Sequence, residues 1–510
     1  MSRSNPNGFY ATIGLQFYAS IFWRVANSFN LFCLTSLIIL NQPKIKGFMM
    51  STIYDKSIFK AYDIRGIVGK TLSAEVAHGI GLALGTEALT RKLDTIVVGR
   101  DGRLSGEELC HALANGIRTT GVNVIDVGMV ATPMLYYAAH QLSNASGVMV
   151  TGSHNPPDYN GFKMLLGGAT LSGPDIQALY QTIIQANFNL SAELGSYATH
   201  DIEAQYMAQI VGDIRLARPL KIVVDCGNGV AGAFAPKLFQ QLGCDIMPLF
   251  CDVDGTFPNH HPDPAQPENL QDVILALKNS DADLGLAFDG DGDRLGVVTK
   301  EGNIIWPDRQ MMLFAEDILS RQPNAEIIFD VKCTRNLAPY ISERGGRPLM
   351  AKTGHSFMKK ILKERGAALA GELSGHIFFQ ERWFGFDDGL YTGARLLEIL
   401  SKVANPSARL NALPDALSTP ELNMPVYEEG LNHRLLAELA DKATFNDVLN
   451  VITLDGLRVE YADGFGLMRG SNTTPVITFR FEADNPEAIQ RIQADFKSQV
   501  SRVTDLPMPF

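Results

Sequence analysis

Thr95-Ile-Val-Val-Gly99, Lys221-Ile-Val-Val-Asp225 and Glu326-Ile-Ile-Phe-Asp330 are three versions of one phrase, and they decide the fold. Each is a short β-branched run, the pattern of a strand buried on both faces. Each ends in a polar loop: Arg100-Asp-Gly-Arg103, Cys226-Gly-Asn-Gly229 and Val331-Lys-Cys-Thr334. A helical pattern follows, and a second strand opens after a glycine: Gly121-Val-Asn-Val-Ile125, Gly243-Cys-Asp-Ile-Met247 and Gly346-Arg-Pro-Leu-Met350. A third strand closes each unit: Gly147-Val-Met-Val150, Leu284-Gly-Leu-Ala-Phe288 and Ala367-Ala-Leu-Ala370. Strands alternating with helical stretches predict three related α/β domains with mixed, largely buried sheets.

Working outward, the plan breaks near residue 416. A mildly acidic helical stretch (431–447), strands around 457–461 and 476–481, and a closing helix at 486–500 predict a smaller α+β domain. The Pro- and Ala-containing segment 404–420 reads as its linker. The expected division is 51–200, 201–303, 304–415 and 416–510, in keeping with about 100–200 residues per domain for a chain of 510.

Residues 1–50 stand apart as an N-terminal extension. The segment is rich in Phe, Leu and Ile and uncharged between Arg24 and Lys44. A membrane span needs about 20 mostly apolar residues, and Asn27, Ser28, Asn30, Thr35 and Ser36 interrupt this one. Three readings stay open: an upstream stretch that is not made, a weak membrane anchor, and a loosely docked tail. The first is preferred, with Met49 or Met50 as the start, because the ordered pattern begins just after them and needs nothing before.

With 44 basic and 55 acidic residues the formal charge is −11. That balance argues against general nucleic-acid binding, which needs basic surface. A local Arg/Lys cluster can still hold a small anion. The six cysteines, at 33, 110, 226, 244, 251 and 333, form no CxxC pair. They read as buried thiols in a reducing cytoplasm, and no membrane engagement is expected.

Each third strand runs into an unusual loop: Thr151-Gly-Ser-His-Asn-Pro156, Asp289-Gly-Asp-Gly-Asp-Arg294 and Gly371-Glu-Leu-Ser-Gly-His376. Ligands of open α/β sheets sit beyond the carboxyl ends of strands, so three equivalent loops can share one cleft. Asp289, Asp291 and Asp293 alternate with glycines that permit tight turning. Three hard oxygen ligands from so short a loop suit Mg²⁺. Ser153 ends a buried strand in a glycine-opened loop, where its hydroxyl can be presented. A serine needs a base or a metal to become a nucleophile, and His154, its sequence neighbour, is expected to point elsewhere. Arg469-Gly-Ser-Asn-Thr-Thr-Pro475 offers a guanidinium, hydroxyls and an amide, the inventory of a phosphate site. Glu372, Ser374 and His376 on one loop suit sugar hydroxyls and general-base work. Tyr62, Arg65, Lys163, Lys332 and His355 are further candidates.

These four loops, in this order, resemble the α-D-phosphohexomutase superfamily from about residue 53 to 510. The likeness is strongest to its bacterial phosphomannomutase/phosphoglucomutase group, whose pattern Ala61-Tyr-Asp-Ile-Arg-Gly66 and Trp383-Phe-Gly-Phe-Asp-Asp-Gly389 also match. The resemblance implies four domains around a central cleft and a hexose 1-phosphate/6-phosphate mutase acting on mannose and glucose. It implies a phosphorylated Ser153, one Mg²⁺ per chain on Ser153, Asp289, Asp291 and Asp293, and glucose 1,6-bisphosphate as activator and intermediate. Arg294 and Lys163 would support the transferring phosphoryl group, and Glu372 and Ser374 would grip the sugar. Arg469, Ser471, Asn472 and Thr473 would hold the distal phosphate, with Lys332, His355, Tyr62 and Arg65 completing the pocket. His376 leads as general acid/base, with Lys163 next. The expected partners are small sugar phosphates, and the expected state is a monomer or weak dimer. The neighbouring alternative is a phosphoglucosamine mutase, whose pattern usually carries Gln at the position of Leu373. A metal-dependent hydrolase would not need the loop at 469–475. A non-catalytic binding protein would not need Ser153 and all three aspartates.

Overall fold

The structure is a computed structural model and describes residues 53–428, 430–472 and 474–510. The reading of residues 1–50 as an extension therefore lies outside the described residues.

Three α/β domains (I, II and III) repeat one strand order. In domain I the third strand, Gly147–Val150, pairs in parallel with the first, Thr95–Arg100, which pairs in parallel with the second, Asn123–Met129. In domain II the set is Leu284–Phe288, Lys221–Asp225 and Asp245–Leu249. In domain III it is Leu369–Gly371, Glu326–Asp330 and Arg347–Ala351. The first strands, fully apolar at their centres, take the middle position, where both faces and both edges are covered.

Beside each third strand lies a fourth that the sequence reading did not separate: Tyr159–Leu166, Leu295–Thr299 and Ile377–Phe379. All three run antiparallel to their neighbour. The loops at 151–158, 289–294 and 372–376 are thus reversals of the chain at the carboxyl end of each sheet. That is why three loops from distant parts of the sequence share one environment. Several expected strands shift by one or two residues: the second strands begin after their glycines, and the third strand of domain III begins at Leu369.

One apolar core runs through all three domains, taking Val97 and Tyr137 from domain I, Val224 and Phe288 from domain II, and Phe329 and Tyr391 from domain III. Domain IV has its own core, formed by an antiparallel sheet and the helices Leu431–Lys442 and Pro486–Val500. The first helix stops five residues before its expected end, and the strand Val448–Ile452 follows it. The strand Gly464–Gly470 went unforeseen because three glycines dilute its apolar pattern. The linker segment is also partly ordered, since Asn405 caps the short helix Pro406–Asn411.

Domain IV is latched to domain III by polar contacts. Arg458 donates to the carbonyls of Val331 and Cys333 at 2.7 and 2.8 Å, and Glu482 accepts from the Thr334 hydroxyl at 2.8 Å. Cys110, Cys226, Cys244 and Cys333 are buried free thiols as expected, Cys251 is half-buried, and Cys33 is outside the described residues. Among the described residues no helix is long and apolar enough to cross a membrane.

Candidate active site

Ser153 is 3% exposed and sits at a φ of 47°, the left-handed region that a serine rarely occupies. Two features hold it there. Its N–H donates to Thr151 Oγ1, whose hydroxyl donates to Asp101 Oδ2. The Arg103 guanidinium donates to the carbonyls of Ser153, Asn155, Pro156 and Tyr159. Strain held by surrounding contacts is a mark of a functional turn.

The domain II loop closes on this turn. Ser153 Oγ lies 3.1 Å from Asp289 Oδ2. The approach requires glycine at 290, because a side-chain carbon there would fall 2.3 Å from the Ser153 carbonyl oxygen. Ser153 Oγ also lies 3.3 Å from His154 Nδ1, which corrects the expectation that His154 points away. Burial and the Arg294 charge hold His154 well below the usual histidine range, so it is a neutral neighbour.

Asp289, Asp291 and Asp293 are fully buried, and their oxygens come within 4.8 Å of one another. Arg294 donates to Asp289 Oδ2 at 3.0 Å. Lys163, on the fourth strand of domain I, donates to Asp291 Oδ2 at 2.7 Å and to Asp293. Burial alone would lower the Lys163 pKa, but these two carboxylates hold it well above the ordinary value. Burial pushes the Asp289 carboxyl up to about 7, against Arg294 and with Asp293 and Asp291. Three carboxylates this close call for added positive charge. Asp291 Oδ1 and Asp293 Oδ1 are buried without a hydrogen-bond partner. Orphaned oxygens on converging carboxylates are the donor set of a hard divalent cation, so the residues present fit a metal.

The domain III loop lies against the aspartate loop through a backbone bridge between Arg294 and His376. His376 Nδ1 stands 2.9 Å from Asp387 Oδ2 and 3.6 Å from Asp293 Oδ1, ion-pair contacts without hydrogen-bond alignment. Burial opposes protonation of His376, yet Asp293 and Asp387 raise its pKa above the ordinary value. The other oxygen of Asp387 accepts from Lys359 Nζ at 2.8 Å. Glu372 is buried, accepts from the Gly354 N–H, and is pushed up to about 7 by burial, with the His376 charge opposing. The Ser374 carbonyl accepts from Arg294 at 3.3 Å, and the residue is half-buried.

Four chain segments beyond these three loops add the remaining candidates. Arg469 pairs with Asp455 Oδ2 at 3.0 Å. Asn472 Nδ2 donates to the Tyr62 hydroxyl, which itself donates to the Thr353 carbonyl, so domain IV meets domain I here. Ser471 Oγ accepts from Thr474 N at 3.2 Å. Thr473 lies outside the described residues. Arg65 donates to Asn155 Oδ1 at 2.8 Å and pairs with Asp63. Lys332 is buried and pairs with Glu421 at 2.9 Å, a partner the sequence did not suggest. The His355 ring stacks on that of His376 at 5.5 Å and meets Tyr62 edge-on at 6.2 Å.

With this geometry in view, family comparison is decisive. Four models of the phosphoglucomutase/phosphomannomutase series match in order: α/β/α domain I over residues 56–190, domain II over 204–302, domain III over 306–417, and the C-terminal domain over 401–499. The chain belongs to the phosphoglucomutase/phosphomannomutase family. Among its relatives is a phosphoglucomutase of Neisseria meningitidis, 59% identical over 454 residues, covering 89% of this chain and 99% of that one. A phosphomannomutase/phosphoglucomutase of Pseudomonas aeruginosa is 57% identical over 456 residues, covering 89% and 98%. The X-ray structure of a phosphoglucomutase/phosphomannomutase family protein from Burkholderia thailandensis superposes with a TM-score of 0.86 at 59% identity, covering 90% of this chain and 100% of that one.

For a member of the phosphoglucomutase/phosphomannomutase family, the reading of single loops left out the residues that position the others. Asp101 and Arg103 clamp the Ser153 turn, and Thr132 donates to Asp291 Oδ2. Asp263 pairs with Arg294 at 3.3 Å, and Asp387 with Lys359 stands behind His376. Arg100-Asp-Gly-Arg103 was visible as a polar loop after a first strand, the one local signal for this group. The others depend on contacts across domains.

Proposed function

We propose that this chain interconverts hexose 1-phosphates and hexose 6-phosphates, with mannose and glucose as its sugars, through a phosphorylated Ser153 and a 1,6-bisphosphate. The observation that carries this reading is the meeting of Ser153, three converging carboxylates and Lys163 in one buried site. A hydrolase would need no serine in that place. Asp289, Asp291, Asp293 and a Ser153 phosphate oxygen would hold one Mg²⁺. When bound, it neutralises charge on the transferring phosphoryl oxygens.

The chain's own residues account for the rest. Lys163 stays protonated between Asp291 and Asp293, so it serves as a cation beside the phosphoryl group, and Arg294 does the same from the Asp289 side. This favours His376 over Lys163 as the base. His376 takes the proton of the attacking sugar hydroxyl as the Ser153 Oγ–P bond breaks and the sugar O–P bond forms. Ser153 Oγ is released as an alkoxide, which then attacks the opposite phosphate; as that sugar O–P bond breaks, His376 returns the proton to the sugar oxygen set free. Glu372 and Ser374 hold sugar hydroxyls. Arg469, Ser471, Asn472 and Thr473, with Lys332, His355, Tyr62 and Arg65, hold the phosphate that does not react. Such transfer depends mostly on positioning and charge. Burial of Ser153, Lys163, the three aspartates and Arg294 keeps water from the transferring group, where it would otherwise release free phosphate. Glucose 1,6-bisphosphate would serve as activator by phosphorylating Ser153, in a protein that acts as a monomer or weak dimer.

The test is conversion of mannose 1-phosphate and glucose 1-phosphate to their 6-phosphates, with Mg²⁺ and a trace of glucose 1,6-bisphosphate. Turnover of both sugars that collapses in Ser153→Ala is expected. Preference for glucosamine 1-phosphate would move the chain to the phosphoglucosamine mutases. Free phosphate without isomerisation, or full activity without Ser153, would overturn the phosphoserine route.

A further inference from the structure

A second cavity, of about 330 Å³, lies on the seam between domains I and III. That volume falls in the range of small-molecule pockets, about 300–1,000 Å³. Helix Thr132–Leu142 supplies Tyr136 and His140 to its lining, helix His355–Arg365 supplies Lys359 and Lys363, and the segment 380–386 supplies Phe384 and Phe386. None of the groups of the Ser153, metal or Arg469 loops lines it.

Its chemistry is one-sided. Two lysines line the cavity and no carboxylate does. Lys359 shares the buried Asp387 with His376, so that one negative charge is already divided. Lys363 is exposed and has no ion-pair partner among the described residues. Burial and the Lys363 charge hold His140 below the usual histidine value, so it adds a neutral ring. Aromatic rings supply its apolar wall. Phe384 and Phe386 lie parallel within 7° at a centroid distance of 6.0 Å, and His140 tilts against both, at 5.6 and 5.9 Å. Lys359 Nζ stands 4.4 Å from the Tyr136 ring centroid, so cation and aromatic surface adjoin.

We propose that this cavity binds a small aromatic anion, a planar ring joined to a phosphate, with the ring on the Phe384/Phe386 wall and the phosphate at Lys363 and Lys359. A bare anion would leave the aromatic wall unused, and a neutral ring would leave Lys363 unpaired. Lys359 pairs with Asp387, which in turn contacts His376, so the cavity adjoins the catalytic loop without being part of it.

Calorimetric titration of the full chain, in Mg²⁺ and saturating glucose 1-phosphate, tests this with adenosine 5′-monophosphate, adenosine and inorganic phosphate as separate probes. Adenosine 5′-monophosphate is expected to bind at least about tenfold more tightly than either half alone. Lys363→Ala, at an exposed position that the fold does not need, and Phe384→Ala should each weaken it by about tenfold or more while glucose 1-phosphate affinity is kept. The proposal is overturned if the nucleotide gives no saturable heat up to about 1 mM. Equal affinity for phosphate alone, no loss in Lys363→Ala, or displacement by glucose 1-phosphate would overturn it as well. Affinity is read rather than turnover, so the outcome is separate from that of the mutase assay.

Discussion

Ser153 Oγ, carried by domain I, lies 3.1 Å from Asp289 Oδ2, carried by domain II. The proposed nucleophile and the aspartate loop are therefore brought together by domain packing, and neither domain holds both.

Asp291→Asn removes the carboxylate that Lys163 and Thr132 hold in place. The Mg²⁺ concentration for half-maximal activity should rise by about tenfold or more, by analogy with the loss of groups that orient metal ligands. Chelation should abolish turnover in the native chain and Mg²⁺ should restore it. Full activity in excess chelator would contradict the metal assignment.

Asp387→Asn should lower kcat by about 10- to 100-fold with little change in KM, because Asp387 acts on His376 and not on the sugar. Lys359 would lose its buried partner, so the melting temperature should fall too. A rise in KM with unchanged kcat would place Asp387 in substrate binding instead.

Arg469→Ala should act the other way. A charge-assisted contact to phosphate contributes about 1.5–3 kcal/mol, so KM for glucose 1-phosphate should rise by about 10- to 100-fold with a smaller effect on kcat. Steady-state kinetics on both sugars reads this, and an unchanged KM would remove Arg469 from the phosphate grip.

Asp388 gives a pH test of stability. Burial pushes its carboxyl up to about 7, while the Tyr391 N–H and the Tyr206 hydroxyl donate to it and pull the other way. The folded value is above the ordinary carboxylate value of about 3.9. The folded chain therefore holds more protons than the unfolded chain between about pH 4 and 7, and this contribution is lost as pH rises through 7. Asp388→Asn lacks that loss. Its melting temperature, compared with that of the native chain, should improve from pH 5 to pH 8. A gap that does not change with pH would mean that Asp388 is ionised throughout.

Much of the site could be read locally. The Ser153, Asp289–Asp293 and Arg469 loops are continuous in sequence, and their residue types declare their chemistry. Lys163 was legible as a candidate, yet its grip on Asp291 and Asp293, some 130 positions away, was not. The same holds for Lys332, whose partner Glu421 belongs to the approach to domain IV. His154 was misread because adjacency in sequence suggests divergence, and the positive φ of Ser153 turns the two side chains together instead.

The sequence by itself determined three α/β units and a different fourth, because buried parallel strands and turn glycines are written in contiguous residues whose periodicity follows from backbone geometry. It also determined which loops carry carboxylates, hydroxyls and cations. Only the tertiary structure decided that a fourth, antiparallel strand reverses each chain segment at the sheet end, and that Asp387 and Lys359 stand behind His376. Those outcomes depend on which elements pack together, and burial, charge pairing and the orphaned oxygens of Asp291 and Asp293 exist only once distant segments have met.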